Sequence, residues 1–174
     1  MKKLSLLLVL LFLFPIAFQA QNVNTEKSVV DFKINNLVFS NVKGTFKAMT
    51  GTLHIDPEDL NTSTINVCIA AKTVNTENEK RDTHLRSEDF FYVANNPTIC
   101  FTSSTIKRAE TGYTATGKLS MLGVTRDVSI PFTYKNKTFV GEFKINRTDY
   151  HLGENQNPFV IGTMVKIKIT CVVP

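Results

Sequence analysis

The sequence predicts an all-β protein: an antiparallel barrel of eight strands, with one short helix after the third. Three observations carry this expectation. From Ser28 onward, apolar and polar residues alternate with the period of two that marks half-buried strands. The alternating runs are mostly joined by short turns, as antiparallel neighbours require. A single charged segment, residues 77 to 86, interrupts the pattern with helical signals.

Taken in order, the chain opens on Met1-Lys2-Lys3, an apolar run from Leu4 to Phe14 broken only by Ser5, then Pro15 and the small Ala20. That is the form of a secretory signal peptide, and the run is too short to span a bilayer. Residues 1–20 are therefore expected to be a leader. Residues 21–174 form one domain, destined for the periplasm or for secretion. Such a length supports a real core.

The first strand carries Val30, Phe32 and Ile34 on one face and Val29, Asp31 and Lys33 on the other, until Asn35 and Asn36 break it. The second carries Val42, Gly44 and Phe46, and Gly51, Leu53 and Ile55 continue it past a bulge near Ala48. Asp56-Pro57-Glu58-Asp59 turns the chain into the third, with Ile65, Val67, Ile69 and Ala71 inward. After the helical segment, Ile99 and Phe101 share a face, and Ala115, Gly117, Leu119 and Met121 follow on the next strand. Gly123 turns the chain into Val128, Ile130, Phe132 and Tyr134, where Pro131 implies an edge or a bulge. Phe139, Gly141, Phe143, Ile145 and Arg147 follow beyond Asn136. The last strand carries Val165, Ile167, Ile169, Cys171 and Val173.

Eight such strands close into an up-and-down barrel whose interior holds side chains or one small ligand. Gly44, Gly117 and Gly141 lie on the inward set, where they either leave room for a ligand or mark tight bends. The outward face carries Lys, Thr, Asp, Glu and Ser, which excludes an outer-membrane barrel with its apolar outer band.

The helical segment reads as residues 77–86. Thr76 and Glu79 have the capping-box spacing, and Glu77–Arg81 and Asp82–Arg86 are i,i+4 pairs. With Leu85 as its one large apolar residue it is no core helix, so it is expected across the mouth of the barrel, with Leu85, Phe90 and Phe91 as plugs. His84 beside Asp82 and Arg81 is the strongest catalytic candidate, but no nucleophile motif accompanies it. The preferred reading is that these side chains tie the helix to neighbouring loops. No catalytic residue is assigned.

The formal net charge of +5 includes Lys2 and Lys3, and what remains is mild and dispersed, so no nucleic-acid partner is expected. His54, His84 and His151 are far apart and there is no CxxC, so neither a metal site nor a cofactor is expected. Three cysteines in an exported chain imply one disulfide and one thiol. Cys68 and Cys100 share outward parity on strands flanking the helix and are the expected pair, leaving Cys171 inside. Arg147 continues the inward parity of Ile145, and a lone buried guanidinium is costly. It is therefore expected at a barrel end, paired with Asp82, Asp89 or Asp149 or with a ligand head group.

Three segments resemble the YceI-like family. Thr76 to Phe91, with Arg81-Asp82, His84-Leu85, Ser87 and Asp89-Phe90-Phe91, is similar to its signature; Gly117 to Arg126 and Phe143 to Tyr150 are similar to its second and third motifs, and Val42 to Phe46 also fits. The resemblance implies a periplasmic or secreted lipocalin-like barrel that holds an isoprenoid lipid, a polyprenyl or quinone tail, with no catalytic residues. Many relatives carry a His where this chain has Asn35, which bears on the head group. The expected lining is Phe32, Ile34, Phe46, Phe101, Leu119, Met121, Ile130, Phe132, Phe143, Ile145 and Arg147. The expected role is that of a carrier or reservoir in transient contact with a membrane, as a monomer or a homodimer. A barrel enzyme using His84 or Arg147, and a filled barrel that engages envelope partners through its surface, are the alternatives.

Overall fold

A computed structural model describes residues 20–36 and 41–174. The leader expected over residues 1–20 therefore lies, but for Ala20, outside the described residues. Among the described residues, one antiparallel sheet of ten strands makes the body of the fold, in the order β1-β4-β5-β6-β7-β8-β9-β10-β2-β3. The strands are β1 Gln21–Asn22, β2 Val29–Asn36, β3 Val42–Phe46, β4 Thr50–His54, β5 Thr64–Ala70, β6 Thr98–Arg108, β7 Tyr113–Met121, β8 Val124–Lys135, β9 Thr138–Asn146 and β10 Ile161–Val172, with helix α1 at Glu79–Arg86.

Ten strands stand where eight were expected, for two reasons. β1 is a two-residue addition paired to β4. The expected second strand is divided at Ala48, which has φ +54°. Its halves then serve different neighbours: β3 pairs with β2, and β4 pairs with β5. A strand bent at a corner and bonded on opposite sides closes a barrel without leaving a long bare edge. The free side of β3 is covered by the segment after β5, where Thr45 and Asn75 exchange two backbone hydrogen bonds of 2.8 and 3.0 Å.

Pro131 marks the other irregularity. β8 pairs with β7 over Val124–Phe132, but with β9 only over Phe132–Lys135. Followed back along β8, the ladder to β9 ends at Phe132, next to the proline that has no N–H to offer. Beyond it β8 splays from β9, and the Arg126 guanidinium spans the gap to the Asp149 carbonyl at 3.2 Å.

The interior has two layers. At the end of the β8–β9 hairpin, Phe132 stacks on Phe139 at 4.5 Å and on Tyr113 at 5.3 Å, with Ile106, Ala115 and Ile130 buried around them. This end is filled. The inward glycines hold no room for a guest: Gly44 and Gly141 make way for neighbouring rings, and Gly117 lies against the backbone of Thr102 and Ser103, where the β6–β7 register shifts. A Cβ on Gly44 would stand 2.4 Å from the Phe32 ring, and one on Gly141 would stand 2.9 Å from that of Phe139.

Cys68 and Cys100 lie opposite one another in the β5–β6 ladder and are joined, with Cα atoms 4.1 Å apart, while Cys171 is free and buried. Replacing the pair (Cys68→Ser with Cys100→Ser) should lower the unfolding free energy by roughly 3–4 kcal/mol in urea titrations, the loop-closure value for a separation of 32 residues. Burial pushes the Cys171 thiol up to about 11 against a smaller opposing effect of its hydrogen bond with Ser28. The raised value adds stability that is complete below the ordinary thiol pKa and is lost as pH rises through about 11. Alkylation of Cys171 should therefore be absent in the native protein at mildly alkaline pH and rapid once it is unfolded, as mass spectrometry of iodoacetamide-treated samples will read.

Candidate functional site

The other layer is hollow. A cavity of about 820 Å³ occupies the end of the barrel that carries α1, within the range of about 300–1,000 Å³ usual for ligand sites. β2 contributes Val30, Phe32 and Ile34; β3, Val42 and Phe46; β6, Ile99 and Phe101; β7, Leu119 and Met121; β9, Phe143 and Ile145. Val67 and Ile69 of β5 and Val165, Ile167 and Ile169 of β10 complete the walls. Period-two alternation puts all of these on one face of a curled sheet.

α1 crosses the mouth as expected, but its start differs. The N-cap is Asn78, whose side chain accepts the Arg81 N–H at 3.0 Å, and Glu77 has φ +59°. The capping box from Thr76 does not form because Thr76 is engaged elsewhere. Its N–H and hydroxyl both donate to the buried Asp82 carboxylate, while Arg81 donates to its hydroxyl at 2.7 Å and its carbonyl at 2.8 Å. The two expected i,i+4 pairs do not form either. Arg86 instead donates to the carbonyls of Lys72 and Val74 at 3.0 and 2.9 Å, with Glu79 at 3.6 Å. Charged side chains thus bind α1 to the segment that closes β3. Leu85, Phe90 and Phe91 line the cavity; Phe91 meets Phe46 edge-on at 5.3 Å, and Phe90 lies against Gly153.

His84 and Asp82, two residues apart in sequence, face apart. Asp82 is buried against Thr76, whereas His84 is exposed and meets Asp89 at 3.0 Å. No cluster of metal ligands occurs among the described residues.

Nine of the eleven expected lining residues are in the cavity wall: Phe32, Ile34, Phe46, Phe101, Leu119, Met121, Phe143, Ile145 and Arg147. Ile130 and Phe132 are not. They point inward, but from the filled end, and the part of β8 level with the cavity has splayed outward. Parity gives the face of a strand but not the depth along it. Val30, Val67, Ile69, Val165, Ile167 and Ile169 had the same parity signal and belong in the wall, while Met49 and Leu152 come from loops that carried no signal. Asn35 is exposed, one residue beyond the lining Ile34.

Arg147 is 2% exposed and pairs with none of Asp82, Asp89 or Asp149. Four backbone carbonyls take their place: Gly162 at 3.0 Å, Leu152 at 2.7 Å, Gly153 at 2.6 Å and Ile161 at 3.1 Å. The carbonyl dipoles solvate the charge as a carboxylate would, and five N–H donors in a fixed fork match them. Burial pulls its pKa below the ordinary value. The titratable residues lining the cavity are Lys80, Arg81, His84 and Arg147, all basic, without a carboxylate among the described lining. Arg147→Met should orphan the four carbonyls and cost at least about 3 kcal/mol of stability by chemical denaturation.

A family model described as the YceI-like domain matches residues 21–173. Protein YceI of Salmonella newport (strain SL254) is 32% identical over 143 residues, 76% of this chain and 75% of that protein. The Campylobacter jejuni YCEI protein superposes with a TM-score of 0.69 at 27% identity, covering 82% of this chain and 90% of that one. Burkholderia cenocepacia BcnA superposes with a TM-score of 0.81 at 24% identity, over 87% of this chain and 99% of that one. A polyisoprenoid binding domain from Saccharophagus degradans, implicated in plant cell wall breakdown, gives 0.64 at 16% identity, over 89% and 99% of the two chains. The last two likenesses are of fold.

Proposed function

The chain belongs to the YceI-like family, and from that premise we propose that it binds the long apolar tail of an isoprenoid lipid inside its barrel and serves as a carrier or reservoir. One observation carries the reading: a cavity of about 820 Å³ with an almost wholly apolar wall and an all-basic set of charged groups. Water fills it poorly, since buried water needs polar partners. An apolar guest suits it. The likeness to a polyisoprenoid binding domain supports an isoprenoid as that guest.

Lys80, Arg81 and His84 stand where the cavity meets α1. They suit a head group rich in acceptor oxygens, as polyprenyl phosphates and quinones both are. A bilayer already keeps such a tail out of water, so transfer into the barrel is nearly isoenergetic, which favours carriage over tight sequestration. A catalytic role is the alternative. The binding role is supported by the lack of a carboxylate or nucleophile among the described lining residues beside an almost wholly apolar wall. Removal of residues 1–20 and delivery to the periplasm or beyond belong to the same reading, and N-terminal sequencing of exported protein tests them.

Protein purified gently from its host should carry an isoprenoid detectable by mass spectrometry of a solvent extract. Leu119→Ala should keep most of it, because affinity is spread over many contacts of about 0.1–0.2 kcal/mol each. Leu119→Asp buries a carboxylate at a cost of several kcal/mol, and should yield folded protein without lipid or no folded protein, as circular dichroism will distinguish. Wild-type protein that carries no isoprenoid and takes up neither added quinone nor polyprenyl lipid would overturn the proposal.

A further inference from the structure

The outer wall of the barrel holds a row of four lysines. Lys43 of β3 stands opposite Lys33 of β2, Lys33 opposite Lys166 of β10, and Lys166 opposite Lys144 of β9. Each follows a residue that lines the cavity (Val42, Phe32, Val165 and Phe143), so all four have outward parity. With strands about 4.8 Å apart, the row is roughly 14 Å long. Like charges directly opposite each other in a ladder are destabilising, and among the described residues none of the four forms an ion pair.

The neighbouring rows are arranged differently. One repeat away from the mouth, Lys168 stands between Asp31 and Glu142, with Glu142 at 3.7 Å. On the far wall Lys118 faces Asp127 at 3.1 Å. Opposite charges meet in those ladders; in the four-lysine row they do not. One repeat towards the mouth, the same wall carries Met164, 50% exposed and opposite Asn146. Just before β10, Phe159 is 77% exposed and Val160 38%. A cationic row with large exposed apolar side chains on its mouth side matches the layering of an anionic bilayer: phosphates outside, hydrocarbon within.

We propose that this wall docks on an anionic membrane surface, with Lys33, Lys43, Lys144 and Lys166 at the head groups and Phe159 and Met164 entering the interface. The contact sets the cavity mouth beside the bilayer. Its purpose rests on the lipid-binding reading, but the contact itself does not.

The test is cosedimentation of the purified protein with vesicles of phosphatidylcholine plus phosphatidylglycerol, against phosphatidylcholine alone. Binding should need the anionic lipid and fall as salt shortens the screening length. Lys33→Gln with Lys166→Gln should cut partitioning at least about tenfold, with an unchanged circular dichroism spectrum, since both side chains point outward. The chain has no tryptophan, so Phe159→Trp places a single reporter whose emission should shift to the blue on anionic vesicles only. No binding at low salt, equal binding to both vesicle types, or binding indifferent to the two glutamines would overturn the proposal. So would a stable dimer in sedimentation that buries the reporter without lipid. Isoprenoid carried by a protein that ignores vesicles would sink docking alone; vesicle binding by a protein that never carries isoprenoid would sink the carrier reading alone.

Discussion

The structure depends on what happens at Ala48. A sheet curled into a barrel must satisfy the backbone N–H and C=O groups of its end strands, and here one bent stretch of chain, Val42 to His54, supplies β3 at one end and β4 at the other, where only the two-residue β1 lies beyond it. Its first half bonds to β2 and its second to β5, so the outer side of β3 is left open at the bend. The segment 71–76 fills it, through the Thr45–Asn75 bridge and the Thr73 hydroxyl, which accepts the Lys47 N–H at 2.9 Å. α1 then has little freedom, because Arg81, Asp82 and Arg86 all bind that segment. The charged signature at the mouth is in this sense the fastening of the barrel's seam.

The same wall produces a filled layer and a hollow one without any change in its alternation. What differs is where the aromatic rings go. At the β8–β9 hairpin, Tyr113, Phe132 and Phe139 stack across three strands, and glycine at position 141 lets a ring lie flat on the sheet. At the other end the rings of Phe32, Phe46, Phe101 and Phe143 stand around the cavity as its wall. Collapse of that end is opposed by two fixed points: α1 on the seam, and Arg147, which holds the carbonyls of residues 152, 153, 161 and 162 around its own charge. A buried cation so placed ties the middle of the long β9–β10 connection and the start of β10 to the end of β9.

Much of this is legible in the sequence, and the limits have physical reasons. A period of two leaves no ambiguity about faces, so the inward set and seven of the eight expected strands can be read from it, and shared parity on consecutive strands makes Cys68 and Cys100 the expected pair. Depth along a strand cannot, which is why Ile130 and Phe132 are core residues rather than cavity wall. Thr76 has the spacing of a cap, but spacing shows which side chains can reach a backbone amide, not which competitor reaches first; the Asp82 carboxylate does. Arg147 was expected to need a carboxylate, whereas a group with five donors is equally served by carbonyls that no sequence pattern reveals. The lysine row is hidden for a related reason. Lys33, Lys43, Lys144 and Lys166 are scattered in the chain and meet only through the registers of three ladders.

The two sides of the mouth are held by different forces. On the α1 side, hydrogen bonds with charged partners hold the helix to the seam. On the side of the β9–β10 connection, the Phe90 ring of the plug lies on Gly153, a van der Waals contact. Contacts of that kind are individually worth a few tenths of a kcal/mol at most per atom pair and have no strict geometry, whereas the hydrogen bonds at the seam are directional and draw on a buried carboxylate. Of these two boundaries of the mouth, the apolar one is the easier to part. The apolar contact yields at the lower cost, and a polymethylated chain replaces what it displaces with contacts of the same sort. If the cavity holds the proposed guest, that side can part to pass it while the seam stays closed.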